Sequence, residues 1–156
     1  MPDIICFDLC DTLADTSHRT HLIPPASIAH HASSWDRFSL ACGGDAPITA
    51  TIRLLVALSE KFRIFIWTSR GDIARAETVA WLERYGVPYD RLIMRGPDEH
   101  RKPEDVKADW LRAIGPEHIC CAFDDNDDVV RMLRSMGITC LQVADFRPLV
   151  YSQEAL

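Results

Sequence analysis

The chain has 156 residues, of which 47% are hydrophobic and 26% charged. This fits one globular domain over residues 1–156 and excludes disorder, collagen and coiled coil as whole-chain descriptions. With 17 Lys+Arg against 23 Asp+Glu, the formal charge of −6 argues against a broad basic footprint on duplex nucleic acid, while leaving room for a strand end or a mononucleotide. No apolar run is long enough to span a membrane, Met1-Pro2-Asp3 opens no signal peptide, and the six cysteines at 6, 10, 42, 120, 121 and 140 form no CxxC pair, so a reducing cytoplasm is the expected compartment.

In chain order, Asp3 to Leu9 is a short apolar run containing an acid, the pattern of a parallel strand buried on both faces. Residues 14–44, with Pro24-Pro25, His30-His31 and Gly43-Gly44, lack clear periodicity and read as a lid after the first strand. Within it, Ala26–Ala32 and Trp35–Ala41 are candidate short helices, and His30-His31 an exposed pair. The spacing predicts a helix over 48–58, with Asp45 as N-cap and Pro47 in its first turn. Phe62 to Trp67 is a second strand. Asp72 to Tyr85 is a helix presenting Ile73, Ala76, Ala80, Trp81 and Leu82 on one side and closed by Gly86. Leu92-Ile93-Met94 is a strand, Pro103 to Ile114 a helix, Ile119 to Phe123 a strand, Val129 to Met136 a helix with Asp127 and Asp128 as its cap, and Ile138 to Val143 the last strand. Trp35, Trp81, Trp110 and the pair Cys120-Cys121 are expected in the core, and Phe146 to Leu156 as a surface extension.

Strand and helix alternate, which predicts an α/β fold with a parallel sheet and helices on both faces. In such sheets ligands sit beyond the carboxyl ends of the strands. Asp8, Thr68-Ser69-Arg70 and Asp124-Asp125 all stand at those ends. A carboxylate at the end of a buried strand needs a partner, and adjacent carboxylates suit a divalent cation. Mg²⁺ accepts one or two carboxylates with a substrate phosphate. Asp8, one of the Asp124/Asp125 pair and a backbone carbonyl are the candidate ligands. Thr68 offers a hydroxyl to a phosphate oxygen, and Lys102 and Lys107 compete to neutralise a phosphoryl group. With Asp8 as nucleophile, the set reads as phosphoryl transfer through an aspartyl-phosphate. Ser69, Arg70, Arg101 and the His18-Arg19 pair are candidate substrate contacts.

Phe7-Asp8-Leu9-Cys10-Asp11-Thr12-Leu13 resembles motif I of the haloacid dehalogenase-like (HAD) phosphohydrolases, which usually reads Asp-x-Asp-x-Thr. Ile64 to Thr68 is similar to motif II, Lys102 or Lys107 to motif III, and Ala122-Phe123-Asp124-Asp125 to motif IV. Within that superfamily, Trp67-Thr68-Ser69-Arg70, Arg101-Lys102 with Asp105-Val106-Lys107, and the stretch from Gly137 to Ala144 resemble the phosphatase half of phage polynucleotide kinase-phosphatases. The resemblance implies a three-layer Rossmann-like fold, Mg²⁺ as cofactor, Lys107 rather than Lys102 as the motif III lysine, and Arg70 as the arginine after the motif II hydroxyl. It also implies a nucleotide or a nucleic-acid 3′-phosphate end as substrate. The kinase half's Gly-x-x-x-x-Gly-Lys-Ser/Thr motif does not occur.

One position departs from the family. The second motif I aspartate, the general acid/base, is replaced by Cys10. A thiol is a poor proton donor for this step, and general acid–base help is worth about 10²–10⁴-fold. The resemblance makes the backbone carbonyl of residue 10 a Mg²⁺ ligand, a contact that the Cys10 side chain does not alter, so metal binding is expected to survive and turnover to be slow or lost. The alternatives are a weakened phosphate- or nucleotide-binding protein and a small-molecule phosphatase.

Overall fold

A computed structural model describes residues 1–143 of the chain. Among them the strands are β1 (Ile4–Phe7), β2 (Ala14–Asp15), β3 (Ala46–Pro47), β4 (Arg63–Gly71), β5 (Arg91–Arg95), β6 (Ile119–Asp124) and β7 (Cys140–Gln142). The α-helices are α1 (Asp36–Leu40), α2 (Thr49–Ser59), α3 (Arg75–Arg84), α4 (Pro103–Ile114) and α5 (Asp127–Ser135). Five strands form one sheet in the order β5-β4-β1-β6-β7, with every neighbouring pair parallel. This is the expected three-layer α/β arrangement.

The period of two along each strand divides the core. Ile5 and Phe7 of β1 and Ile64 and Ile66 of β4 meet Ile52 and Leu55 of α2 and Trp81 and Leu82 of α3. Ile4, Cys6, Phe65 and Trp67 point the other way, against Leu111 of α4 and Val129, Val130 and Leu133 of α5. Burial on both faces explains why these strands read as unbroken apolar runs. α4 begins with Pro103 and carries Glu104 and Asp105 in its first turn, where the helix dipole favours acids.

Several expectations are corrected. Asp45 does not cap α2. Ile48 holds that position, Pro47 pairs with Ala14 in a small antiparallel ribbon, and the Asp45 side chain turns inward. The buried face of α3 and the turn before it carries Ala74, Thr78, Trp81 and Leu82, whereas Ile73, Ala76 and Ala80 are exposed; the short 3-10 helix Asp72–Ala74 shifts the helical phase. Cys120 is exposed and Cys121 half-buried, because a bulge between Ile4 and Ile5 alters the register of β6 against β1. Asn126 caps α5, its side chain accepting from the backbone N–H of Asp128 and Val129; Asp127 and Asp128 occupy the first turn. The predicted extension over 146–156 lies outside the described residues.

The lid is built of short pieces: 3-10 helices Ser17–Leu22, Ala32–Trp35 and Ala41–Gly44 around α1. Trp35–Ala41 thus matches α1 closely, while 26–30 forms turns rather than a helix. The β2–β3 ribbon draws the two ends of the insertion together, a device the two-residue strands left invisible in the sequence. No helix among the described residues is long and apolar enough to cross a membrane.

Candidate active site

The strand order reverses direction between β1 and β6, the place where doubly wound sheets open a crevice at their carboxyl ends. The backbone N–H of Asp8 donates to the Phe123 carbonyl at 2.9 Å, which fixes the end of β1 beside the end of β6. Asp8, Asp124 and Asp125 are therefore brought together. One carboxylate oxygen of each lies within 4.8 Å of the others, and all three residues are buried.

Lys107 enters this cluster from α4. Its Nζ donates to Asp8 Oδ1 at 2.8 Å and to Asp124 Oδ2 at 2.7 Å, with only 2% of the residue exposed. Asp124 Oδ1 also accepts the Asn126 N–H at 3.0 Å. Burial pushes the Asp8 carboxyl up to about 6; Lys107 pulls it down, and Asp124 adds to the rise. Burial opposes the charge on Lys107, yet Asp124 and Asp8 together outweigh it and hold the amine above its ordinary value. The three carboxylates form an all-oxygen donor set, with the Lys107 ammonium between two of them. That set fits a hard divalent cation. Lys102, the competing lysine, is exposed at the start of α4 and is not part of the cluster.

Cys10 sits beside two buried guanidiniums. Its Sγ accepts from Arg70 Nη2 at 3.3 Å and from Arg19 Nη2 at 3.8 Å, and lies 4.0 Å from Thr68 Oγ1. Both arginines share the carboxylate of Asp45: Arg19 Nε and Nη2 donate at 2.7 and 2.8 Å, and Arg70 Nη2 donates at 3.2 Å. His18 Nε2 stands 2.8 Å from the same carboxylate. Arg70 Nη1 donates to Thr78 Oγ1 at 2.9 Å, Arg19 Nη1 donates to the Phe38 carbonyl, and Arg19 stacks over the Phe38 ring at 4.0 Å. Sequence reasoning missed Asp45, and the only signal for it was an acid placed where the lid rejoins the sheet. Arg19, expected at the substrate, is fully buried; it ties the lid to residue 10 instead of lining the site. Asp45→Asn is expected to destabilise the fold by about 3 kcal/mol, since it leaves two buried guanidiniums short of their anion while keeping one acceptor oxygen. Urea denaturation checks this, and an unchanged midpoint contradicts it.

Asp11, next to Cys10, adopts a left-handed backbone with φ of 60°, a conformation that aspartate tolerates better than most residues. Its carboxylate accepts from the Thr16 N–H at 3.0 Å and from the Thr16 hydroxyl at 2.8 Å.

A cavity of about 430 Å³ connects the cluster to the lid. Asp8, Cys10, Lys107, Asp124 and Asp125 line its inner part; Ser69, Arg70, Arg101 and Lys102 also border it. Thr68 is 1% exposed, its hydroxyl accepting the Arg70 N–H at 3.1 Å. Arg101 is exposed and paired with Glu99 at 2.6 Å and with Asp109 at 2.8 Å. Trp35, expected in the core, is half-buried on the cavity wall.

The model of the family described as the polynucleotide kinase PNKP phosphatase domain matches residues 2–146. Among curated proteins no sequence matches the chain. A chain in the structure of the Pnkp1/Rnl/Hen1 complex is 24% identical with a TM-score of 0.74, and the match covers 94% of this chain and 48% of that one. A haloacid dehalogenase-like family hydrolase from Streptococcus pneumoniae is 19% identical with a TM-score of 0.63, over 97% and 90% of the two chains. The L-2-haloacid dehalogenase of Xanthobacter autotrophicus is 14% identical with a TM-score of 0.62, over 99% and 82%. These likenesses concern the fold, and the chain spans about half the length of the matched chain in the Pnkp1/Rnl/Hen1 complex. The family match runs from β1 through β7, and on that ground the chain belongs to the polynucleotide kinase PNKP phosphatase-domain family of haloacid dehalogenase-like hydrolases.

Proposed function

We propose that the chain is a Mg²⁺-dependent phosphatase acting through an aspartyl-phosphate on a nucleotide or a nucleic-acid 3′-phosphate end, with turnover slowed by Cys10. The observation that carries this reading is the Lys107 amine bridging Asp8 and Asp124 inside a buried three-carboxylate cluster. Asp8, Asp124 or Asp125, and the Cys10 carbonyl would hold the ion. When bound, Mg²⁺ supplies positive charge to the phosphoryl oxygens.

In the first step an Asp8 oxygen attacks phosphorus, the bond from phosphorus to the leaving oxygen breaks, and that oxygen needs a proton. Lys107 fixes the Asp8 carboxylate by its Oδ1 and offsets charge on the phosphoryl group. The Thr68 hydroxyl and the Ser69–Arg70 segment hold the phosphoryl oxygens at the end of β4. In the second step water attacks the acyl phosphate, releasing phosphate and restoring Asp8. Both proton transfers need an acid/base at residue 10, where a thiol now stands. Arg19 and Arg70 position that residue.

A second reading, a protein that binds Mg²⁺ and phosphate without turnover, is favoured by Cys10 itself. Assays on p-nitrophenyl phosphate and on 3′-phosphorylated oligonucleotides separate the two. Hydrolysis by the natural chain that vanishes in Asp8→Asn supports the enzyme; hydrolysis that persists in Asp8→Asn contradicts the assignment.

The raised carboxyl of Asp8 gives the metal a pH dependence. Against an ordinary value of 3.8, an acid lifted to about 6 stabilises the fold while protonated. That contribution is fully present below about pH 4 and is lost as pH rises through about 6. The ionised form is the one that a cation needs. Mg²⁺ at a hundred times its Kd adds about 2.7 kcal/mol, or about 5–10 °C in Tm for a chain this long. We expect that shift at pH 8 and its loss below pH 6 in thermal scans, whereas a pH-independent shift contradicts the role given to Asp8.

A further inference from the structure

The cavity is much larger than one phosphoryl group requires, and its volume of about 430 Å³ matches a nucleoside-sized ligand. The charged cluster lines one side, while the lid contributes the aromatic pair Trp35 and Phe38 and the apolar Ile23, among polar side chains such as Thr20 and Ser39. A bare sugar or organic-acid phosphate offers no flat face to the Trp35 ring. A flat aromatic base gains a stacking surface there.

Trp35 is set up as that surface. Its Nε1–H donates to the Ala29 carbonyl at 2.8 Å, and its ring meets Phe38 edge-on, with centroids 5.6 Å apart at 87°. Phe38 is in turn held under the Arg19 guanidinium. The indole is thus fixed on two sides yet stays half-buried on the cavity wall, an arrangement that reduces the entropy lost on stacking.

Building on the phosphate site assigned above, we propose that the lid side of the cavity is a nucleobase subsite in which Trp35 stacks the base of the leaving nucleoside. The lid then selects a base-bearing phosphomonoester over a bare sugar phosphate, and Trp35 is a specificity-determining residue. Stacking of a base on an aromatic side chain is worth a tenfold to hundredfold preference, on the order of 1–3 kcal/mol.

Calorimetric titration in Mg²⁺ tests this without relying on turnover. The probes are non-hydrolysable phosphonate analogues of a nucleoside 3′-monophosphate and of base-less ribose phosphate, with inorganic phosphate as the reference. The full chain is expected to bind the nucleoside analogue about tenfold to a hundredfold more tightly than the base-less one. Trp35→Ala is expected to erase most of that gap while leaving inorganic phosphate binding unchanged. Trp35→Phe, which keeps a ring but loses the bond to Ala29, is expected to retain most of it. Equal affinities for the two analogues in the natural chain, or an undiminished gap in Trp35→Ala, overturn the subsite while the phosphate site stands. If none of the three probes binds, the phosphate site itself fails and the subsite with it.

Discussion

Cys10→Asp is expected to raise the turnover of a 3′-phosphorylated oligonucleotide by about 10²–10⁴-fold, the usual worth of a positioned general acid/base. The surroundings of residue 10 already suit a carboxylate. Arg70 Nη2 lies 3.3 Å and Arg19 Nη2 3.8 Å from Sγ, and Asp45 is the carboxylate that both guanidiniums share. A second carboxylate there would balance two buried positive charges with two negative ones, so the variant should fold without loss of stability. The gain in the first step should be largest for substrates with poor leaving groups, because these need the proton most, and smallest for aryl phosphates, whose gain falls on the second step. Equal rates for Cys10→Asp and the natural chain across leaving groups would remove residue 10 from the proton path.

Lys107→Met should have the second large effect, on stability and on chemistry together. The substitution keeps much of the side-chain volume and removes the charge. Asp8 and Asp124 are then left buried with no ammonium between them, and breaking a buried pair of this kind costs about 3–5 kcal/mol. Denaturant titration without Mg²⁺ should show that loss. Added Mg²⁺ should recover part of it, since the cation can take over some of the neutralisation. In the Cys10→Asp background, Lys107→Met should lower kcat by about 10²–10³-fold, the scale of removing one preorganised electrostatic contact. Lys102→Met, altering an exposed residue outside the cluster, should change neither quantity appreciably. If the two lysine variants behave alike, the bridging geometry is not what matters.

Much of the architecture was legible because burial on both faces of a parallel strand leaves a plain mark: Ile4 to Phe7 and Ile64 to Trp67 are apolar without interruption. Helix ends were legible where residues act locally, as with Pro103 at the start of α4 and Gly115 after it. The misplacements have nonlocal causes. Asp45 has the local look of an N-cap, but two guanidiniums from separate segments, Arg19 in the lid and Arg70 after β4, draw it inward. Ile73 looked like part of an apolar face, but a 3-10 turn preceding α3 rotates it to solvent. In the site, motif spacing gave the candidates, yet local sequence alone left Lys102 and Lys107 open. The distinction is one of helix phase: Lys102 precedes the first turn of α4, and Lys107 lies on its buried side. Trp35 escaped notice as a cavity residue because a tryptophan at an amphipathic position is usually core.

The central claim, nucleophilic attack by Asp8 within the cation-binding cluster, is tested most directly by trapping the acyl phosphate. An aryl phosphate has a leaving group that departs without a proton, so the natural chain should complete the first step and stall at the second. After acid quench, intact mass and peptide mapping should find one phosphoryl group on Asp8 when Mg²⁺ is present. The adduct should be absent with a chelator or in Asp8→Asn, and shorter-lived in Cys10→Asp. A phosphoryl group found on another residue, or phosphate release that survives Asp8→Asn, would contradict the account.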